Sequence, residues 1–593
     1  MVFQDFDQIS ERRRLERQQK FRKRVTIAAV AVFALLVVVA AGVFAIISNN
    51  NHKQSQQQHS KSTQSQKPDN SEVSHLGKVI DNVCNATTYK ETCHTSLKKA
   101  VEKDPSSAHP KDVLKLAIGS TEDEFARILE KVKSFKFESP REKAAFEDCK
   151  ELIDDAKEEL NKSISSAGGD TGKLLKNEAD LNNWLSAVMS YQQTCIDGFP
   201  EGKLKSDMEK TFKEAKELTS NSLAMVSELT AFLTAFSVPK PSRRLLAKES
   251  NTSSFGEDGI PSWISPEDRR ILKGSDGDKP TPNVTVAKDG SGQFKTISDA
   301  LAAMPEKYQG RYVIYVKAGI YDETVTVTKN MVNVTIYGDG SQKSIVTGSK
   351  NFADGVQTFR TATFAALGDG FIAKAMGFRN TAGPQKHQAV AVRVQADRSI
   401  FLNCRFEGYQ DTLYAQTHRQ FYRSCVISGT IDFIFGDATA IFQNCLILVR
   451  KPMENQQNIV TAQGRIDSHE TTGIVIQNCR IQPDKDLIPA KATVKSYLGR
   501  PWKDYSRTIV MESTIEDFIH PDGWLAWEGE KGLKTLYYAE FNNKGPGSKT
   551  DARVKWPGYH VIDQQEANKY TVKPFLQGDW ITAAGAPVHF GLF

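Results

Sequence analysis

The sequence predicts a multidomain chain in which a parallel β-helix follows an α-helical bundle and a transmembrane segment. Three observations predict it. A strand pattern centred on cysteine recurs at Cys404, Cys425, Cys445 and Cys479. Between residues 75 and 236, apolar residues repeat at three- and four-residue spacing. Near the N-terminus, 23 residues from Val25 to Ile47 run without a charge. A length of 593 residues calls for several units, since single cores stop growing near about 250–300 residues. With 39% hydrophobic and 25% charged residues, global disorder is excluded.

Residues 1–24 form a basic arm. Between Glu11 and Arg24, eight Lys/Arg face two Glu, and this difference of six equals the net charge of the whole chain, +6. The remainder is near neutral, which argues against a nucleic-acid partner. Residues 25–47 are long enough to cross a hydrocarbon core of about 30 Å. Cations before this run and Ser-Asn-Asn-Asn-His after it place the N-terminus in the cytosol and the rest in the lumen or outside. A signal anchor is preferred to a cleaved signal peptide, whose apolar region is usually about 7–15 residues. Eight cysteines in an exported chain read as disulfides, and without any CxxC no metal or cofactor is expected. Sequons at Asn85, Asn161, Asn251, Asn283 and Asn333 are candidate glycosylation sites for the same compartment. Residues 48–74, rich in Gln, Ser and Lys, read as a flexible stalk.

Residues 75–236 read as a small antiparallel helical bundle. Glu122–Phe135, Arg141–Leu160 and Lys205–Phe236 carry the helical period, and a turn is expected within Ser165–Gly172. A helical spacer would show the same spacing. Residues 237–280 form a polar linker with two basic pairs, Arg243-Arg244-Leu245-Leu246 and Arg269-Arg270-Ile271-Leu272, open to a protease.

From 281 to 593 the texture is β. The cysteine motifs follow one another at steps of 21, 20 and 34, one strand pattern per repeat, as stacked coils would produce. A β-sandwich would instead repeat its strands every 8–12 residues. In a solenoid with coils of about 21 residues, positions one coil apart face the same way about 4.8 Å apart. Asp411 and Asp432 are 21 apart, and Gln388 and Gln410 are 22 apart, so two carboxylates and two amides can converge. Paired carboxylates in different environments divide acid and nucleophile roles. Tyr409, Phe433, Phe435 and Trp502 are the expected aromatic walls for a sugar ring. No Gly-x-Ser-x-Gly elbow exists, and His387 and His418 have no serine or cysteine to activate, so both read as hydrogen-bonding or surface residues.

Two resemblances extend this reading. The Val83-Cys84-Asn85 and Thr194-Cys195 segments resemble the plant invertase and pectin methylesterase inhibitors, a four-helix bundle behind an N-terminal helical hairpin. That implies bridges Cys84–Cys93 and Cys149–Cys195, and a binder rather than an enzyme. Residues from about 283 resemble plant pectin methylesterases. The motifs are Gly319-Ile320-Tyr321-Asp322-Glu323, Gln388-Ala389-Val390, Gly408-Tyr409-Gln410-Asp411-Thr412-Leu413, Asp432-Phe433-Ile434-Phe435-Gly436 and Leu498-Gly499-Arg500-Pro501-Trp502. Departures fall at Asp437, where Asn is usual, and at Ile271, where Leu is usual.

The resemblance implies a right-handed parallel β-helix that hydrolyses methyl esters of pectin galacturonate. It implies Asp432 as nucleophile, Asp411 as acid and base, and Gln388 and Gln410 on the oxyanion. Arg500 would orient and ionise Asp432, and Trp502 and Phe433 would hold substrate. Further expectations are bridges Cys404–Cys425 and Cys445–Cys479, a raised pKa for Asp411 and a charged Asp432 beside Arg500. Expected partners are methyl-esterified pectin, a subtilisin-like protease acting at Arg243, Arg244, Leu245 and Leu246, and separate inhibitor proteins. The helical segment would inhibit or assist folding until proteolysis frees the enzyme from a secretory-pathway membrane to the cell wall. A β-helix lyase, with a calcium-binding carboxylate cluster, and a polygalacturonase, with different aspartates, are the rival enzymes. A non-enzymatic wall-binding protein is the third.

Overall fold

A computed structural model describes residue 77 and residues 80–104, 112–168, 171–235 and 280–593. The anchor at 25–47, the stalk, the dibasic sites and Asn251 lie outside the described residues. No helix among the described residues is long and apolar enough to cross a membrane.

Among the described residues, helical periodicity yields the long helices α1 (Lys90–Lys103), α2 (Val113–Lys133), α3 (Pro140–Ala167), α4 (Thr171–Gly198) and α5 (Lys203–Ala235). The start of α3 is set by Ser139, whose hydroxyl accepts from Glu142 N while the Glu142 carboxylate accepts from Ser139 N, with Pro140 at the first helical position. Helices α2 to α5 pack as a ring, α3 and α4 along most of their length. Cys84–Cys93 clips the N-terminal turn to α1, and Cys149–Cys195 joins α3 to α4. Both are the bridges that the inhibitor resemblance implied. Among the described sequons, Asn85, Asn161, Asn283 and Asn333 are exposed, although the Asn283 amide already bonds Tyr308 and Val313 N.

The β region coils into three parallel sheets, of 11, 7 and 8 strands, each strand pairing with its equivalents in the coils above and below. The asparagine before each repeated cysteine explains the motif. Asn403, Asn444 and Asn478, and Ser424 in their place, sit at positive φ (50–56°) where the chain turns between sheets. Asn tolerates that left-handed geometry better than most residues. The next residue then points inward, where Phe401, Tyr422 and Phe442 stack ring on ring at 5.0 and 4.4 Å.

Here the expected bridges Cys404–Cys425 and Cys445–Cys479 are corrected: all four are buried free thiols. Each occupies the same inward position of successive coils, and each Sγ rests on backbone carbonyls. The Cys425 thiol meets Phe401 O at 3.3 Å, and that of Cys479 meets Phe442 O at 3.2 Å. A weak donor is thus satisfied by a carbonyl of the coil before it, without a sulfur–sulfur bond.

Candidate active site

The seven-stranded sheet, from Val325–Val327 to Ser496–Gly499, builds the site. Its register aligns Arg393 with Tyr414 and Tyr414 with Phe435, a column of side chains on one face. Asp411 and Asp432 stand two residues before the paired Leu413 and Ile434, so the coil stacks them as the 21-residue spacing required. Both have positive φ, 62° and 50°, a conformation costly for a non-glycine residue and retained where geometry serves a site.

Arg500 grips Asp432 with a planar fork, Nε to Oδ1 at 2.8 Å and Nη2 to Oδ2 at 2.5 Å. Its guanidinium also lies 4.2 Å over the Trp527 ring. Asp411 is 8% and Asp432 5% exposed. Burial, reinforced by the charge of Asp432, pushes the Asp411 carboxyl well above the usual range, with Arg500 opposing. The expectation for Asp432 needs adjusting. Burial raises it as well, and the two bonds and the charge of Arg500 only pull it part of the way back. Gln388 and Gln410 line the same cavity of about 550 Å³, and the Gln388 side-chain oxygen is buried without a protein partner.

The aromatic walls differ from expectation. Phe435 and Trp502 line the cavity, Phe435 stacked on Tyr414 at 4.3 Å and edge-on to Trp502 at 6.0 Å. Gly464 makes room for Trp502, since a Cβ there would stand 2.9 Å from the indole. Phe433 does not line it. It is 0% exposed in the coil interior, packed against Gly429, where a Cβ would meet it at 2.3 Å. The left-handed turn at Asp432 resets the alternation, so Phe433 falls inside. Tyr409 is also elsewhere, under the Arg450 guanidinium at 3.8 Å. His387 is exposed, and His418 is buried between Asn183 and Tyr191 of α4, its pKa pushed down to about 3 by burial. Phe359, Tyr414 and Trp527 line the site without having been expected. Tyr414 could have been found by subtracting one coil from Phe435, whereas Trp527 lies in an irregular loop with no repeat to betray it.

The helical domain roofs this cavity. Arg141, Asp148 and Leu152 of α3, Thr194 and Asp197 of α4, the turn Phe199–Glu201 and Lys205 of α5 complete its lining. Tyr414, Phe435, Ala462 and Phe359 belong to the same apolar cluster as the bundle core. Among the described residues, no group of three or more His, Cys, Asp or Glu is placed to hold a metal ion.

A family model described as Pectinesterase matches residues 283–579, and one described as Plant invertase/pectin methylesterase inhibitor matches 78–225. Pectinesterase/pectinesterase inhibitor 45 of Arabidopsis thaliana is 53% identical over the full length of both chains. Pectinesterase 1 of Citrus sinensis is 42% identical over 90% of this chain and 91% of its own. The solved pectin methylesterase from carrot superposes with a TM-score of 0.53 at 50% identity, covering 53% of this chain and 99% of that one. With its β-helix, its roofing bundle and relatives matched end to end, the chain belongs to the pectinesterase family, in the form that carries a pectin methylesterase inhibitor domain ahead of the enzyme.

Proposed function

We propose that this pectinesterase cleaves the methyl esters of galacturonate units in cell-wall pectin with Asp432 as nucleophile and Asp411 as acid and base. The observation that carries the assignment is the asymmetry of the aspartate pair. Arg500 forks onto Asp432 alone, while Asp411 has no cation of its own and is the more strongly raised. An ionised Asp432 oxygen attacks the ester carbonyl, and the developing oxyanion is held by the side-chain amides of Gln388 and Gln410. The tetrahedral species collapses as Asp411 gives its proton to the departing methoxide, releasing methanol and leaving the acyl group on Asp432. Asp411, now a base, takes a proton from water, whose oxygen attacks the acyl carbon. Asp432 is regenerated, and the product is a galacturonate carboxylate. Trp502 and Phe435 offer apolar faces for the sugar ring.

The roof supports a second part of the reading. The helical domain acts as an intramolecular inhibitor until the linker is cut after Arg243-Arg244-Leu245-Leu246, and the freed enzyme works in the wall. A tether of this kind imposes an effective concentration on the order of millimolar, so even a weak contact keeps the cavity closed.

Methanol release from methylated pectin tests both parts, with the full chain compared before and after a single cut in the linker. Release is expected only after the cut, without shortening of the polysaccharide. Asp432→Asn and Asp411→Asn, shown folded by circular dichroism, should each lower it by at least about 10²-fold, since each loses a chemical step. Near wild-type release by either variant would refute the role given to that residue. Full activity of the uncut chain would refute inhibition alone.

A further inference from the structure

The contact between the two domains has a polarity that the catalytic reading does not use. On the β-helix, Lys329, Arg360, Arg398, Arg419 and Lys503 reach into it; on the helices, the partners are all carboxylates. Arg360 meets Asp148 at 2.6 Å and also Glu151. Lys329 meets Asp155 and, at 3.1 Å, Glu158. Arg398 and Arg419 share Asp180 at 3.0 and 2.7 Å, and Lys503 meets Asp197 at 2.8 Å. Among the described residues, the reverse arrangement across the contact is Lys162 with Asp369 at 3.9 Å, at an exposed edge.

Four of these carboxylates, Asp148, Glu151, Asp155 and Glu158, follow each other at steps of three and four along α3. They form one stripe rising about 5 Å per turn. Asp148 and Arg141 at one end of α3 line the catalytic cavity itself, as do Asp197 of α4 and Trp502, the neighbour of Lys503. The stripe therefore runs out of the cavity along the cationic rim that flanks it. A chain of regularly spaced carboxylates lying in the cleft is also what the proposed reaction leaves behind, since each ester hydrolysed becomes a galacturonate anion.

We propose that the acidic face of α3 stands in for a run of unesterified galacturonate, and that such a run competes with the helical domain for Lys329, Arg360 and the neighbouring cations. The inference rests on the catalytic reading for the identity of the product. Its physical content is a linkage: a polyuronate that binds only the uncovered cations weakens docking by the same factor by which docking weakens its own binding. A methyl-esterified run carries no charge and cannot replace the carboxylates. Once the linker is cut, demethylated pectin thus strips the inhibitor from the enzyme, and the first products favour further release. In the uncut chain the tether holds the domain against the same competitor.

The test uses the full chain with a specific protease site placed in the 237–280 linker, in the Asp432→Asn background so that no ester is turned over. After the cut, retention of the helical fragment on the β-helix is followed by size exclusion. Unesterified oligogalacturonate, fully methyl-esterified oligogalacturonate of equal length, and sodium chloride of matched ionic strength are compared. The unesterified oligomer should release the fragment at a concentration at least tenfold below that of the esterified one, and beyond the effect of salt. Lys329→Gln with Arg360→Gln should loosen the fragment and blunt the difference between the oligomers. Equal release by both oligomers, or release by salt alone, would overturn the proposal. Because no turnover occurs here, failure of the competition leaves the aspartate assignment standing. Unimpaired methanol release by Asp432→Asn would remove that assignment, while release of the fragment by the unesterified oligomer, which holds no ester, would still be read beyond the effect of salt.

Discussion

Arg500 bonds both oxygens of Asp432 through two different nitrogens of one plane, which an ammonium cannot reproduce. Burial pushes the Asp432 carboxyl up, and this fork pulls it back towards the ionised form that the proposed nucleophile needs. Arg500→Lys is expected to lower kcat by roughly 10- to 100-fold with a smaller change in KM, a loss of about 1.4–2.7 kcal/mol in the barrier. The pH–rate profile of the cut variant should also move, its rise shifting to higher pH as Asp432 loses its hold. A profile and kcat equal to wild type would make Arg500 a purely structural residue. The GIYDE motif shows the opposite case. The Glu323 carboxylate accepts from Ile297 N and Ser298 N and thereby caps the helix Ile297–Ala302, far from any chemistry.

At the scale of the element, the segment between the strand Asn458–Gln463 and the strand Gly473–Gln477 carries both a wall of the site and a seat for the roof. Gly464 admits Trp502, and Asp467 accepts a hydrogen bond from Ser220 of α5 at 2.8 Å. A buried carboxyl pair holds this segment. Asp437 Oδ1 accepts from Gln463 and Thr472, Glu470 Oε1 accepts from Ile466 N and Asp467 N, and the second oxygen of each carboxyl is buried without a donor. One proton between them is needed, so burial raises Asp437 to about 6 and Glu470 well above its ordinary value. A carboxyl whose folded pKa is raised holds its proton longer in the folded state. Its contribution is present at low pH and is lost as pH rises from about 4 through 6. Asp437→Asn supplies the hydrogen from an amide at every pH. The variant should therefore gain about 1–2 kcal/mol over wild type at pH 7 and nothing at pH 4, read by urea unfolding at both. Parallel stability profiles would show that the pair does not share a proton.

The domains meet through further groups that titrate. Glu159 of α3 lies between Lys162 and His418, one carboxylate oxygen unpartnered, and burial raises its pKa to about 7 against the pull of Lys162. The docked state accordingly holds a proton that an exposed Glu159 would give up near pH 4.3. The part of docking that Glu159 supplies is therefore full below that value and is lost as pH rises from about 4.3 to 7, over a range in which the carboxylates paired with Lys329, Arg360, Arg419 and Lys503 stay charged. Following retention of the helical fragment on the cut chain, release should become on the order of tenfold easier between pH 5 and 7. Glu159→Gln should flatten that dependence while keeping the fragment bound at pH 7. A wild-type profile without slope would count against Glu159 as the titrating group.

Much of this molecule was legible from spacing. The 21-residue step from Asp411 to Asp432 stacks two carboxylates because the coil repeats its backbone, and a period is a local property of sequence. Helices α2, α3 and α5 were equally legible from their apolar stripes, although α2 begins at Val113, earlier than the expected Glu122, while α4 had no segment of its own in that reading. What periodicity could not decide was the sense of a side chain after a left-handed residue. Phe433 lies inward because it follows the left-handed turn at Asp432 and precedes the strand Ile434–Gly436, on which Phe435 faces outward. The four cysteines were paired by count, yet stacking gave each Sγ a carbonyl of the coil before it as well as one of its own. The alignment of the α3 acids with Lys329 and Arg360 joins residues about 170–210 apart. Composition and period determined the two domains and the aspartate pair, because both are repeats along the chain. Only the tertiary structure decided which face of one domain closes the other, because that depends on charges brought together across it.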